Sequence, residues 1–422
     1  MGATVDVVVV GAGPAGALAA HGLAAAGASV VVVDRARFPR DKPCGGGLTS
    51  RAVRLLPFPV DAVVERRVDR IDFRLAYRSG FTRRSEEPLI LMTQRRRLDA
   101  FLVDRAVEAG AELRDGVKAT AIDRNGSGVV VRTSSGPVHA DLAIGADGAN
   151  GISPAAVGGN GRRSHCVAIE GNVRYGPGSS MRDRSRAVLE LGVVPGGYAW
   201  IFPKGDHVNV GVAGWAREAP RLRRHFGRLL DAHGLRLESV SGLRGHRLPL
   251  RASHAPLSSE SVLLVGDAAG LADPLSGDGI YEAVLSGREA ARVAAAYLGG
   301  SAASLDGYAS AVLARTGSLC GCSWDWKHAY DRFPRLSFEI TRLPFAWPVI
   351  QALLRGELTD PTTARGFDAF PIRLLGLLAR AARAPGAVYR QEAERAGAGQ
   401  APRFSSSEPP RIVSAMSADS SR

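Results

Sequence analysis

The sequence predicts an α/β fold with an α+β insert: a mainly parallel sheet interrupted by a mostly antiparallel one, then a helical C-terminal region. Three observations predict it. Val5-Asp6-Val7-Val8-Val9-Val10, a glycine turn, an alanine-rich run and a second β-branched run from Ser29 to Val33 follow one another directly. Two further apolar strands end in turn residues, one at Ile144-Gly145-Ala146-Asp147-Gly148 and one at Val262-Leu263-Leu264-Val265; continuous apolar runs suit strands buried on both faces. Between these blocks, at about 60–90 and 155–250, short alternating stretches are punctuated by Gly and Pro, the pattern of antiparallel strands.

The elements follow in order. A helix is expected from Pro14 to Ala26, with Gly27 where a C-terminal cap belongs. A second is expected from Leu98 to Ala109, followed by alternating strands. Residues 262–298 read as strand, loop and long helix, on which Ala283, Gly287, Ala290 and Ala294 leave room for close packing. Residues 305–395 read as helices broken at Pro334, Pro344, Pro348, Pro361 and Pro371. From 396 onward Ser, Ala, Gly and Pro dominate, and the tail is expected to be disordered. The expected division is therefore 1–60, 91–154 and 251–304 in one discontinuous domain. Residues 61–90 and 155–250 form a second, 305–395 a helical region and 396–422 a tail.

Composition narrows the function. The chain has 422 residues, 45% hydrophobic and 23% charged, which suits globular units with real cores. The net charge of +13 is nearly all arginine, since Lys42, Lys118, Lys204 and Lys327 are the only lysines. This balance suits an anionic membrane surface, a nucleic acid or a phosphorylated substrate, or is an arginine bias on a solvated surface. No segment interleaves basic and aromatic residues, so no nucleic-acid partner is expected. Cys44, Cys166, Cys320 and Cys322 give neither a disulfide nor a metal framework, and a reducing cytosol is expected. The start lacks a signal-peptide pattern, and no apolar run reaches the roughly 18–20 residues of a membrane span. A peripheral contact at the inner face of a membrane remains compatible with this.

Gly11-Ala12-Gly13-Pro14-Ala15-Gly16 fits G-x-G-x-x-G between a strand and a helix, and Asp34 closes the next strand. In that context the pattern marks a Rossmann-like dinucleotide site. Gly11 permits the turn, Gly13 lets a pyrophosphate approach, and Gly16 lets helix pack on strand. The helix start offers free amides to phosphate, Asp34 accepts from ribose hydroxyls, and Ala15 and Arg35 belong to the same site. The strand ending in Gly266-Asp267 and the loop Asp273-Pro274-Leu275-Ser276-Gly277-Asp278-Gly279-Ile280 extend it. A carboxylate at a strand end can hold a ribityl chain. The helix N-terminus after Gly279 can face the pyrimidine end of a flavin and favour its reduced, anionic state.

Here a resemblance becomes specific. Gly266-Asp267 with Pro274 to Ile280 resembles the Gly-Asp signature of the flavoprotein hydroxylase superfamily typified by para-hydroxybenzoate hydroxylase. Asp147-Gly148 resembles its Asp-Gly motif, and Arg95, four residues before Asp99, resembles its flavin-contacting arginine. One departure follows: Gly151 and Pro154 stand where the superfamily has Ser and Arg, so nicotinamide handling is not carried over from this motif. Two further segments, Lys42-Pro43-Cys44-Gly45-Gly46-Gly47-Leu48 and Tyr198-Ala199-Trp200-Ile201-Phe202-Pro203-Lys204 through Val212, narrow the branch. With Ser286-Gly287 they resemble the geranylgeranyl reductase family. The likeness runs over about 5–300, with Ala213 in place of a second glycine after Gly211.

The resemblance implies an FAD enzyme that saturates isolated double bonds of a polyprenyl or related hydrophobic substrate, with NADPH, NADH or reduced ferredoxin as electron donor. Cys44, Gly45 and Gly46 would lie against the flavin. On a strand, alternate side chains share a face, so Tyr198, Trp200 and Phe202 point the same way. They wall an apolar substrate pocket or pack on the flavin domain. Hydride alone cannot reduce an unactivated alkene, because the carbanion is too unstable. A proton must accompany it, and aromatic faces steady the cationic carbon. Cys44, Tyr198 and a bound water are the candidate donors, with Trp200 counted among the catalytic residues; Cys44 also reads as a small filler. The alternative is an FAD monooxygenase acting on a small hydrophobic or aromatic metabolite through a C4a-hydroperoxyflavin. A halogenase is disfavoured, since no lysine lies between Lys42 and Lys118. A flavin-binding protein without catalysis is the remaining class. Ile372–Arg383 is apolar and basic, a stretch for a membrane interface or for ordinary core packing.

Overall fold

The structure, a computed structural model, describes residues 4–126, 128–159, 165–176 and 185–395. The tail expected to be disordered lies outside them.

The β-branched run of Val5–Val10 pairs in parallel with Val30–Asp34 on one side and Gly136–Gly145 on the other. Glu112–Asp115 extends the sheet beyond Val30–Asp34, and Gly128–Thr133 and Ala119–Asn125 extend it antiparallel on the opposite side. Val262–Leu264 also pairs in parallel with Gly136–Gly145. Val7, Val8, Val9 and Val30 to Val33 are buried, as a strand covered on both faces demands. Pro14 opens the helix Pro14–Ala25, where its missing N–H is no loss, and Gly27 at φ +94° closes it. The helix Ile280–Leu298 lies on Pro14–Ala25, and a Cβ at Gly287 would sit 2.4 Å from the Ala15 carbonyl oxygen. The small-residue spacing serves that approach. The helix expected from Leu98 runs Arg95–Glu108 instead. Its first turn, Arg95-Arg96-Arg97, hides the apolar period and is anchored by a buried Arg95–Asp99 ion pair.

A second sheet takes the strands Val240–Pro249, His165–Arg174, His207–Trp215, Tyr198–Pro203, Arg186–Leu191, Arg70–Leu75 and Ser79–Arg84, in that spatial order. Its pairings are antiparallel except that Arg186–Leu191 and Arg70–Leu75 run parallel. Along Tyr198–Pro203 the strand period separates two environments. Ala199 and Ile201 join Val210, Val212, Phe226 and Leu229 in a core beneath the helix Leu222–Ala232, whereas Tyr198, Trp200 and Phe202 face the other way. A small antiparallel sheet of Gly47–Thr49, Ile90–Met92 and Arg66–Val68 lies beside them.

The C-terminal helices are Gly307–Arg332, Pro334–Arg342, Ala346–Arg355, Ala369–Ala381 and Gly386–Arg395. Pro334 opens one and Pro344 lies between two. Pro348 and Pro371 break nothing, because each falls in a first turn where an amide has no intrahelical acceptor. The long helix Gly307–Arg332 clamps both sheets. Its Tyr308 hydroxyl donates to the Leu264 carbonyl at 2.5 Å, and Trp324 stacks on Trp215 and Tyr389. Among the described residues no helix is long and apolar enough to cross a membrane.

Candidate active site

At the carboxyl ends of Val5–Val10 and Gly136–Gly145 the chain opens a crevice, the usual ligand position of such sheets. Gly11 turns there at φ +102°, and Ala146 donates its amide to the Val10 carbonyl at 2.7 Å. Asp34 braces the turn: its carboxylate accepts the Ala12 amide at 2.8 Å and the Ala36 amide at 2.9 Å. Arg40 approaches Asp34 at 3.9 Å and pairs with Asp99 at 2.8 Å. Arg95 forks onto Asp99 through two 2.7 Å bonds, both groups buried. Arg35 is exposed.

The Asp-Gly motif also has a role within its own loop. One Asp147 oxygen accepts the amides of Ile152 and Ser153, at 2.7 and 3.0 Å, so this carboxylate closes its own loop. The space beside it explains Gly151, the departure noted above. A Cβ at 151 would fall 2.0 Å from the Asp147 carboxyl carbon.

Opposite lies the Gly266-Asp267 turn. Asp267 pairs with Lys42 at 2.9 Å and with His246 at 3.5 Å. Burial opposes its ionisation, yet the Lys42 ammonium and the His246 imidazole beside it hold its carboxyl well below the usual range. Asp273 accepts the amides of Leu275 and Ser276, which shapes the following loop. Asp278 accepts those of Ile280 and Tyr281, so two amides expected to face the flavin are engaged within the chain.

These walls enclose one cavity of about 830 Å³. Of the cofactor residues named from sequence, Gly13, Ala15, Cys44, Gly45, Gly46, Arg95, Gly148, Gly266, Asp267, Pro274, Gly277, Gly279 and Ile280 line it. Gly11, Gly16, Asp34, Arg35 and Asp147 do not. Tyr198, Trp200 and Phe202 line it too, with ring centroids about 6 Å apart in sequence order. The Trp200 indole donates to Asn209 at 2.8 Å, and Gly211 on the paired strand makes room for it. A Cβ at Gly211 would stand 2.1 Å from the indole ring. The Tyr198 hydroxyl donates to the Ser276 carbonyl, and burial pushes its pKa up. The Cys44 sulfur accepts the Gly46 amide at 3.3 Å. The lining also includes the aliphatic side chains of Leu189, Leu191, Ile340, Val349, Leu353 and Leu375.

Three cavity groups, Lys42, His246 and Glu170, and Lys204 buried behind the glycine loop escaped the residue-by-residue reading. Lys42 and His246 flank Asp267, Glu170 accepts the Cys44 amide at 2.7 Å, and Lys204 donates to the carbonyls of Gly45, Gly46 and Thr93. Lys42 and Lys204 stood inside the quoted motifs, but Glu170 and His246 carry no local signal.

The residues present fit FAD: a helix N-terminus at Gly13-Pro14, a bare glycine loop at 45–47 and the 274–280 loop converge on one cavity. A family model described as an FAD binding domain matches residues 4–319. A menaquinone reductase of Mycolicibacterium smegmatis is 34% identical over 318 residues, 69% of this chain and 77% of the relative. Digeranylgeranylglycerophospholipid reductase 3 of Methanosphaera stadtmanae is 30% identical over 308 residues, 69% and 77%. The chain belongs to the geranylgeranyl reductase family. It is an FAD-dependent oxidoreductase of that type. An uncharacterized protein of Methanosarcina barkeri is 35% identical over 291 residues, 68% of this chain and 74% of the relative. Among solved structures, a geranylgeranyl bacteriochlorophyll reductase-like protein from Thermoplasma acidophilum superposes with TM-score 0.72 at 22% identity, over 92% of this chain and 98% of its own. The flavin-dependent brominase Bmp2 also reaches 0.72, at 19% identity over 90% and 100%. At such identities these two likenesses speak for the fold alone.

Proposed function

We propose that this chain reduces isolated carbon–carbon double bonds of a polyprenyl or similar hydrophobic substrate. One observation carries the reading: a single cavity is lined by the Cys44-Gly45-Gly46 loop, by Tyr198, Trp200 and Phe202, and by aliphatic side chains of the C-terminal helices. Relatives named for geranylgeranyl chains and for menaquinone, a prenylated quinone, support the substrate class. FAD, when bound, supplies the hydride. Gly13 and the first turn of Pro14–Ala25 would hold its pyrophosphate, and Arg95 and Asp267 would hold its flavin half. The three rings exclude water and present electron-rich faces to a carbon that gains positive character. Cys44 and Tyr198 line the same space as groups bearing exchangeable protons. NADPH, NADH or reduced ferredoxin recharges the flavin. The first sheet with its helices would serve the cofactor, and the second sheet the substrate, along the boundaries expected from sequence.

We infer further that the protein works in the cytosol against a membrane. On the helix Ala369–Ala381, Pro371, Ile372 and Leu375 line the cavity, while Phe370 and Leu377 are half exposed beside Arg373 and Arg380. Phe367 just before it is 85% exposed. An apolar, basic rim beside this lining suits extraction of a lipid from an anionic bilayer.

The test is anaerobic reduction of the bound flavin, followed by reoxidation with a geranylgeranyl compound or with oxygen alone. Reoxidation by the prenyl compound, with a saturated product by mass spectrometry, is expected. Inertness toward prenyl lipids with rapid oxygen-dependent hydroxylation of a small metabolite would overturn the reading in favour of a monooxygenase.

A further inference from the structure

Glu170 occupies the middle of the strand His165–Arg174, and the strand period turns it with Cys166 and Ala168 toward the cavity. One carboxyl oxygen accepts the Cys44 amide at 2.7 Å, and the Asn209 side chain bonds the same carboxyl. Asn209 in turn accepts the Trp200 indole N–H, so Glu170 is joined to the aromatic wall through one side chain. The other cavity carboxylates have fixed partners. Asp267 has Lys42, Asp278 has Arg51 at 3.2 Å, Asp273 has two loop amides, and Asp331 takes the Gly196 amide and the Trp215 indole N–H. Glu170 makes no ion pair among the described residues. Lys204 faces it but spends its hydrogens on the Gly45, Gly46 and Thr93 carbonyls. Arg244, opposite Glu170 on the neighbouring strand, is paired with Asp41 at 2.9 Å.

We propose that Glu170 supplies the proton that completes reduction of the double bond. Burial raises its pKa and Asp41 adds to this, against the Cys44 amide, Lys204 and Asn209, so this carboxyl holds a proton more readily than a solvated one. Tyr198 is less suited, because its proton is held by the Ser276 carbonyl. In the step, the π pair of the alkene forms a C–H bond to the Glu170 proton, and the O–H electrons stay on the carboxylate. The second carbon takes a hydride with its electron pair from the reduced flavin, which is thereby oxidised by two electrons. Water reprotonates Glu170. The assignment rests on the reductase reading.

Two measurements on Glu170→Gln and Glu170→Asp test it. The infrared spectrum of the flavin-free parent should contain a protonated carboxyl band that Glu170→Gln lacks. In single turnover with a geranylgeranyl compound, Glu170→Gln should reoxidise about 10²–10⁴-fold more slowly, with the dissociation constant of the compound unchanged and partial rescue in Glu170→Asp. A parental rate in Glu170→Gln, an effect confined to binding, or no lost carboxyl band overturns the assignment. Absence of prenyl turnover in the parent itself overturns the reductase reading and the assignment together. The infrared comparison needs no flavin, so it decides the point even where a variant has lost the cofactor.

Discussion

Lys204 is one of four lysines in the chain, so its titration can be read individually. It is 2% exposed behind the glycine loop, with its nitrogen 2.7, 3.0 and 2.8 Å from the carbonyls of Gly45, Gly46 and Thr93. Burial lowers its pKa from 10.5 to about 8, although Cys44, Glu65 and Glu170 pull the other way. The folded value lies below the unfolded one, so the unfolded chain binds the extra proton between about pH 8 and 10.5. Stability from this group therefore rises with pH across that window and is flat above it. At 1.36 kcal/mol per pH unit, burial of the charged amine costs about 3 kcal/mol below pH 8. With lysine labelled by ¹³C at Cε, one of the four NMR signals should move with a midpoint near pH 8 and vanish in Lys204→Met. The stability of the parent relative to the variant should rise by about 3 kcal/mol over the same window. No signal with that midpoint, or one that persists in the variant, would refute the burial argument.

Three further perturbations have defined outcomes. Gly211→Ala must push the Trp200 indole toward the cavity, and overpacking should cost about 1–3 kcal/mol; a parental melting temperature and KM would contradict the contact. Arg95→Met leaves the buried Asp99 with Arg40 alone, and loss of a buried partner should cost about 3–5 kcal/mol in denaturant unfolding. A loss below about 1 kcal/mol would mean that Arg40 suffices. Phe370→Ser with Leu377→Ser should weaken co-sedimentation with anionic vesicles while sparing turnover of a detergent-dispersed substrate. Equal sedimentation would move the membrane contact elsewhere.

What the sequence revealed was whatever chemistry sits within a few residues. The turn at 11–16, the loop at 274–280 and the shared face of Tyr198, Trp200 and Phe202 follow from local spacing, and each lies where spacing put it. The cavity's charge plan does not follow from spacing. Lys42 meets Asp267 across 225 residues, and Cys44 meets Glu170 across 126. Such pairs are made by tertiary packing and leave no periodic trace. Asp147 illustrates a subtler limit: its motif was recognisable, but only the amides of Ile152 and Ser153 reveal that its carboxylate serves the loop. The proline breaks at 348 and 371 misled for the opposite reason, since a first-turn proline and a helix-breaking one look alike without the helix start in view.

The same cavity has its lining written in different parts of the chain. Every cofactor residue named from sequence that lines the cavity lies before residue 290, whereas Ile340, Val349, Leu353 and Leu375 come from helices that begin after the matched family region closes at 319. Such a layout works like a socket with an exchangeable gauge. Evolution or design can lengthen, shorten or re-line the gauge to measure a different tail, while the redox machinery keeps every contact it had.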